Sequence, residues 1–184
     1  MAEPALRIVA HGIPAPQGSK RGFVHKTTGR VILKEQSDRL APWRDTVRHE
    51  ALRLVGGDFG RPPLDEPVVV DMVFTFARPK SHYRTGRNAH LLRDNAPARP
   101  AGAPDLSKLA RAVEDSLTDG GVWRDDSRVV EYGRLAKVWA REDGDALDVP
   151  GVSIRVWRLV DLLGETQHTA LAEPADTLFD SATV

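Results

Sequence analysis

Carboxylates and cations lie closest together in Pro104-Asp105-Leu106-Ser107-Lys108-Leu109-Ala110-Arg111-Ala112-Val113-Glu114-Asp115 and, a little further on, in Trp123-Arg124-Asp125-Asp126. Hydrolysing a phosphodiester needs charge placed against the phosphate and an activated water, and carboxylates holding Mg²⁺ supply both. Leu106, Leu109, Ala110, Val113 and Leu117 recur at helical spacing, and Gly120-Gly121 supplies a stop, which predicts a helix from about residue 107 to 118. Asp105 then lies just before that helix. Asp125 and Asp126 follow a turn; in an extended segment neighbouring side chains point to opposite sides, so one of the two reaches a site shared with Asp105. Lys108, Arg111 and Asp115, spaced at three and four, share one helix face opposite the leucines. Each feature also has a plain structural reading. Asp105 or Ser107 could be an N-cap, Asp125-Asp126 an ordinary turn, and the charged face a solvated, salt-bridged surface.

The 184-residue chain carries 26 Lys and Arg against 26 Asp and Glu, but the charges are unevenly distributed. Residues 1–104 hold 17 cations to 10 acids, residues 105–159 hold 9 to 11, and the last 25 residues hold five acids and no base. A basic front half followed by a carboxylate-rich block fits a protein that holds a polyanion against a metal-dependent centre. The rigid stretch Gly12-Ile13-Pro14-Ala15-Pro16-Gln17-Gly18-Ser19 ends in Lys20 and Arg21, and residues 78–103 hold six cations, among them Lys80, Arg84 and Arg87, all expected to meet phosphates. Tyr83 could stack on an unpaired base there, while His82 and His90 lack the paired spacing of a zinc site. Cysteine is absent, which excludes disulfides, thiolate metal sites and cysteine nucleophiles; phosphate-binding GxxxxGK[ST] and GxSxG elbow motifs are absent as well.

The elements that must carry these groups read as follows. Leu6, Ile8 and Ala10 alternate with Arg7, Val9 and His11 as in a half-buried strand, and residues 22–26 and 30–33 form a hairpin around Thr27-Thr28-Gly29. Pro42 opens a helix whose apolar stripe is Trp43, Val47, Ala51 and Leu54. From Pro67 a strand alternates Val68, Val70, Met72, Phe74 and Phe76 against Val69, Asp71, Val73, Thr75 and Ala77. Residues 78–103 read as a long surface loop, residues 129–139 and 152–157 as strands, and the acidic stretch 141–148 between them as a solvated turn. This order predicts one α+β domain over residues 1–159, two main helices packed on a mixed sheet, with an acidic, largely disordered tail over 160–184. No uncharged apolar run approaches a membrane span, and the start Met1-Ala2-Glu3-Pro4 lacks the order of a secretory signal, so a cytoplasmic location without membrane attachment is expected.

The ordered set Gly12-x-Pro14-x-Pro16-x-Gly18-Ser19-Lys20-Arg21, Phe76-x-x-Pro79-Lys80, Pro104-Asp105-Leu106-x-x-Leu109-x-Arg111-x-x-x-Asp115-x-Leu117, Trp123-x-Asp125-Asp126-x-x-Val129-Val130 and Lys137 resembles the RusA family of Holliday junction resolvases, phage-type members in particular. The resemblance covers residues 6–157. It implies a homodimeric endodeoxyribonuclease, dependent on Mg²⁺ with Mn²⁺ as a substitute ion, that recognises four-way and other branched DNA and cuts two strands symmetrically. Asp105 matches the family's first metal-site aspartate and Asp126 the second member of its Asp-Asp pair, with Asp125 a further candidate ligand. Arg111 stands where many members carry a functional lysine; the cation is kept, but arginine cannot donate its proton near neutral pH. Asp115 matches a frequent acidic position, and Lys20, Arg21, Lys80, Lys108 and Lys137 join Arg84 and Arg87 as candidate DNA contacts. Ser107 departs from the pattern, because a neutral hydroxyl replaces the aspartate usual at that candidate metal position. A junction-binding protein of the same fold, with catalysis weakened or lost at Ser107, is therefore the alternative. A small phage structural or interaction protein, its charge pattern incidental, is a third reading.

Overall fold

The computed structural model describes residues 2–18, 21–24, 28, 31–34, 38–56 and 63–170, without the side chains of 21–24, 31–34 and 165–170. Its elements are β1 (Leu6–His11), β2 (Arg21–Val24), β3 (Val31–Lys34), α1 (Leu40–Val55), β4 (Val68–Phe76), α2 (Leu106–Asp119), β5 (Val129–Trp139), β6 (Gly151–Arg158) and α3 (Leu159–Ala170). Strands β2 and β3 pair as the expected antiparallel hairpin. The others form one mixed sheet in the order β1-β6-β4-β5, antiparallel except for the β4–β5 pair, in which α2 makes the crossover between parallel strands. The fold is α+β with a mixed four-stranded sheet, as expected.

Strand β4 is central, and eight of its nine residues are buried. Val68, Val70, Met72 and Phe74 face the main core, where they meet Ile8 and Ala10 of β1, Ile154 and Val156 of β6, and the apolar stripes of both helices. The α1 stripe is Leu40, Trp43, Val47 and Ala51. Leu54 does not continue it. Three residues after Ala51 it turns out of the packed face and is 41% exposed, and Val55 packs against the core instead. Pro42 is the third helical residue, not the first. On α2 the buried set is Leu109, Ala110, Ala112, Val113, Ser116 and Leu117. The two helices approach closely at the end of α2, where a Cβ on Gly120 would stand 2.6 Å from the Ala51 Cβ. Gly121, at φ +73°, then turns the chain in a conformation that side-chain-bearing residues rarely adopt.

The other sheet face refines one expectation. Residues 141–148 form a turn, but only one side of it is solvated. They fold back across the outer side of β4, with the Leu147 amide donating to Thr75 Oγ1 at 3.0 Å and Asp143 only 8% exposed. Asp71, the one charged residue of β4, binds Arg155 Nη2 at 2.7 Å; Arg155 also meets Asp145 at 3.0 Å, and Arg134 joins Asp145 to Asp143. Helix α3, Leu159–Ala170, takes up the first part of the segment 160–184, and its start is tied to the sheet by the Leu159 amide donating to Pro67 O. Residues 171–184 lie outside the description. No helix among the described residues is long and apolar enough to cross a membrane.

Candidate active site

Residues 78–103 are irregular and mostly exposed, as a surface loop should be, with short 3₁₀ turns at Lys80–His82 and Gly86–Asn88. Their last part is nevertheless fixed at several points. Pro97 O accepts from Arg78 Nη1 and from Trp139 Nε1, both at 3.0 Å. Arg99 binds Asp143 at 2.7 Å, and Lys137 Nζ donates to Gly102 O at 2.6 Å and to Pro104 O at 2.9 Å. Strand β5 thus supplies both Trp139 and Lys137 to clamp the chain that leads directly into Asp105. Arg78 is part of this clamp and no phosphate contact: its side chain is 4% exposed, bound to Glu142, with the guanidinium 4.9 Å from the centre of the Trp139 ring.

Asp105 occupies the N-cap position of α2, yet its side chain accepts no capping hydrogen bond. The carboxylate is directed outward, 61% exposed and 2.9 Å from Lys108 Nζ. The Lys108 bond, followed by the charges of Lys108 and Lys137, holds its carboxyl below the ordinary aspartate range, so it is ionised at neutral pH. The N-terminal end of α2 adds a favourable field. Ser107 is exposed in the first turn and is not the cap. Gln17 donates its backbone N–H to Lys108 O at 2.9 Å, which brings the proline-rich loop beside this turn. Lys20 lies outside the described residues, and Arg21 opens β2 with its side chain undescribed.

The Asp125-Asp126 pair divides its work. Trp123, 1% exposed, anchors the segment through Nε1 to Thr118 Oγ1 at 2.7 Å, and Leu64 pairs with it across a parallel bridge. Arg124 and Arg128 both grip Asp65, at 3.1 and 2.7 Å. Asp125 Oδ1 accepts the Ser127 amide at 2.9 Å and caps the turn Asp126–Arg128, which also keeps its carboxyl ionised. Asp126 is left exposed, facing Glu114 of α2 and Tyr132 of β5. Tyr132 Oη donates to Glu114 Oε1. Glu114 is pushed above the ordinary glutamate range chiefly by burial, opposed by the Tyr132 bond and reinforced by Asp126 and Asp115.

Two groups of side chains therefore flank α2. Asp105, Lys108 and Lys137 stand at its start; Asp126, Glu114 and Tyr132 stand two to three turns further on. Arg111 is exposed between them and its charge acts on Glu114. Asp115 turns instead to α1, 3.5 Å from Arg44, which also binds Asp119. Among the candidate DNA contacts, Arg84 is bound to Asp94 and Leu92 O, whereas Lys80 and Arg87 are exposed without ion partners among the described residues. Tyr132 is not singled out by the sequence, and Glu114 stands there only as one carboxylate of the charged cluster, with no role of its own. The available signal was spacing: Ser107, Arg111 and Glu114 fall at i, i+4 and i+7, one helix face.

Among the described residues no three His, Cys, Asp or Glu side chains gather into a ready metal cage. Mg²⁺ does not require one; it binds through one or two carboxylates and keeps waters and substrate phosphates as its remaining ligands. Exposed, ionised Asp105 and exposed Asp126, with hard oxygen donors and no thiolate or imidazole set nearby, fit an ion of that kind. The family model of endodeoxyribonuclease RusA matches residues 14–150 of the chain. No curated protein matches it.

Proposed function

Since the chain belongs to the endodeoxyribonuclease RusA family, whose members act on branched DNA junctions, we propose that the two groups flanking α2 form one phosphodiester-hydrolysing site, with Asp105 and Asp126 as its acidic members. The observation that carries this reading is Asp105 itself. It sits where an aspartate would ordinarily cap a helix, yet its ionised carboxylate points to solvent, beside Lys108 and next to backbone clamped by Lys137. Family nucleases generally depend on a divalent metal; a bound Mg²⁺ would supply positive charge against the phosphate and an activated water.

The chain's own residues do the rest. Asp105 and Asp126 would hold the ion, while Ser107 offers it only a neutral hydroxyl. Arg111, exposed between the two groups, faces the phosphate as a fork of donors and acts as an electrostatic clamp, not as a proton donor. Lys108 keeps Asp105 ionised, and Lys80 and Arg87 meet the DNA backbone further out. A four-way junction has approximate two-fold symmetry, and paired incisions then need two copies of this site, presented by an isologous homodimer.

The test is to incubate the protein with labelled four-way junctions and linear duplexes, with and without Mg²⁺. Symmetric nicks in two opposing strands of the junction, dependent on Mg²⁺ and absent from the duplex, are expected. Tight junction binding without any nicking would support the alternative of a catalytically weakened junction binder. Ser107 and the absence of a three-acid cage among the described residues are the observations that favour that alternative.

A further inference from the structure

Behind Asp105 lies a cleft of about 380 Å³ that no step of the hydrolysis uses. One wall is the clamped chain, with Pro97 and Pro100; the opposite wall is the end of β4, with Phe76; Trp139 and Lys137 of β5 lie between them, and His82 closes one side. The lining is predominantly apolar. His82 stands edge-on to Trp139 with ring centres 5.4 Å apart, and Trp139 has its indole face against Arg78, so the rings are held in place. Pro104, the residue before Asp105, belongs to the same rim.

From this geometry we infer that the cleft receives one nucleobase, unstacked from the DNA beside the phosphodiester that is cut. The inference rests on the nuclease reading and extends it to the branch point. Its volume falls in the roughly 300–1,000 Å³ range of small-molecule sites, which accommodates a base with its sugar. The walls offer flat proline, aromatic and aliphatic surface, which any base can stack on. Charge selects DNA over an apolar peptide: the Lys137 ammonium stands in the lining, and Lys80, exposed and without an ion partner among the described residues, follows Pro79 at the rim. Unpaired or weakly stacked bases at a branch point cost least to extrude, so such a pocket would favour junctions over continuous duplex.

The test uses 2-aminopurine placed singly at each nucleotide flanking the cleaved bond of a four-way junction, in EDTA to prevent cutting. Anisotropy of a dye on a distant arm reports binding separately. Wild-type protein should raise 2-aminopurine fluorescence several-fold at one of these positions. Ala101→Trp and Ala77→Trp, which fill the cleft from exposed positions on its two walls, should each abolish that rise. A junction bound by wild type with no rise at any flanking position, or a rise that survives both fillings, overturns the pocket and leaves the nuclease reading standing. Failure of the wild-type protein to bind the junction at all overturns both.

Discussion

Asp143→Asn tests how the platform beneath Asp105 is held. The Asp143 carboxylate, 8% exposed, accepts from Arg134 at 2.8 Å, from Arg99 at 2.7 Å and, through Oδ1, from the Asp145 amide at 3.0 Å. The Arg134 bond first, then the Asp145 amide and Arg99, hold its carboxyl well below the usual carboxylate range. Asparagine can keep the amide bond but removes the charge that both arginines face. A hydrogen bond to a charged group contributes about 1.5–3 kcal/mol, but the arginine side chains are 33% and 52% exposed and water partly replaces the loss. The expected cost is about 2 kcal/mol, or about 4–8 °C in Tm for a chain of this size. A depressed native pKa adds stability above the unfolded value near 4 and loses it as pH falls toward the native value. The gap between wild type and variant should therefore hold from about pH 7 to about pH 5 and shrink progressively below about pH 4. Urea melts followed by circular dichroism at several pH values measure it. A variant within about 0.5 kcal/mol of wild type at neutral pH, or a gap that widens on acidification, refutes the reasoning.

The remaining predictions concern α2 and the basic loop. Glu114→Gln should keep the Tyr132 contact while removing a half-buried charge that faces Asp126 and Asp115. Because the native pKa is raised, the variant should be more stable at neutral pH by less than about 1 kcal/mol, with the advantage fading as pH drops to about 4, as thermal melts would show. Ser107→Asp should lower the Mg²⁺ concentration for half-maximal junction cleavage if residue 107 faces the ion. Stability should move by only about 0.5 kcal/mol, and an unchanged Mg²⁺ titration with intact folding removes residue 107 from the site. Junction affinity should fall steeply with salt, and the combined Lys80→Ala and Arg87→Ala variant should flatten the log–log slope by about 0.9 per lost phosphate contact. Arg78→Ala, by contrast, should lower Tm, because that guanidinium is packed on Trp139 and bound to Glu142 and Pro97 O.

Periodicity made most elements legible. The alternation of Leu6, Ile8 and Ala10 and the helical spacing of Leu109, Ala110, Val113 and Leu117 mark faces that are buried in the structure. Where packing comes from residues distant in sequence, local pattern could not report it. Alternation puts Thr75 and Asp71 on the second face of β4 but does not say what covers it; residues 141–148 and Arg155 do. Arg78 and Lys137 read alike in the sequence, as two more cations for phosphate; only the tertiary fold buries the first against Trp139 and has the second also hold two backbone carbonyls. The polar composition after Val160 suggested disorder, yet α3 extends through Ala170; its start is exposed, with Val160 60% and Leu163 54% exposed, so little apolar burial announced it. At the site, motif spacing pointed to Asp105 and Asp126, while the division between a capping Asp125 and a free Asp126 depends on the turn geometry.

The central claim, that Asp105 and Asp126 serve one hydrolytic site, is tested most directly by measuring binding and cleavage of the same four-way junction by Asp105→Asn and Asp126→Asn. Each substitution removes a charged oxygen donor and a negative charge that repels phosphate, on an exposed side chain whose loss leaves the core untouched. Both variants should bind the junction as tightly as wild type or more tightly, and neither should cut it in Mg²⁺. Near wild-type nicking by either variant would contradict the account.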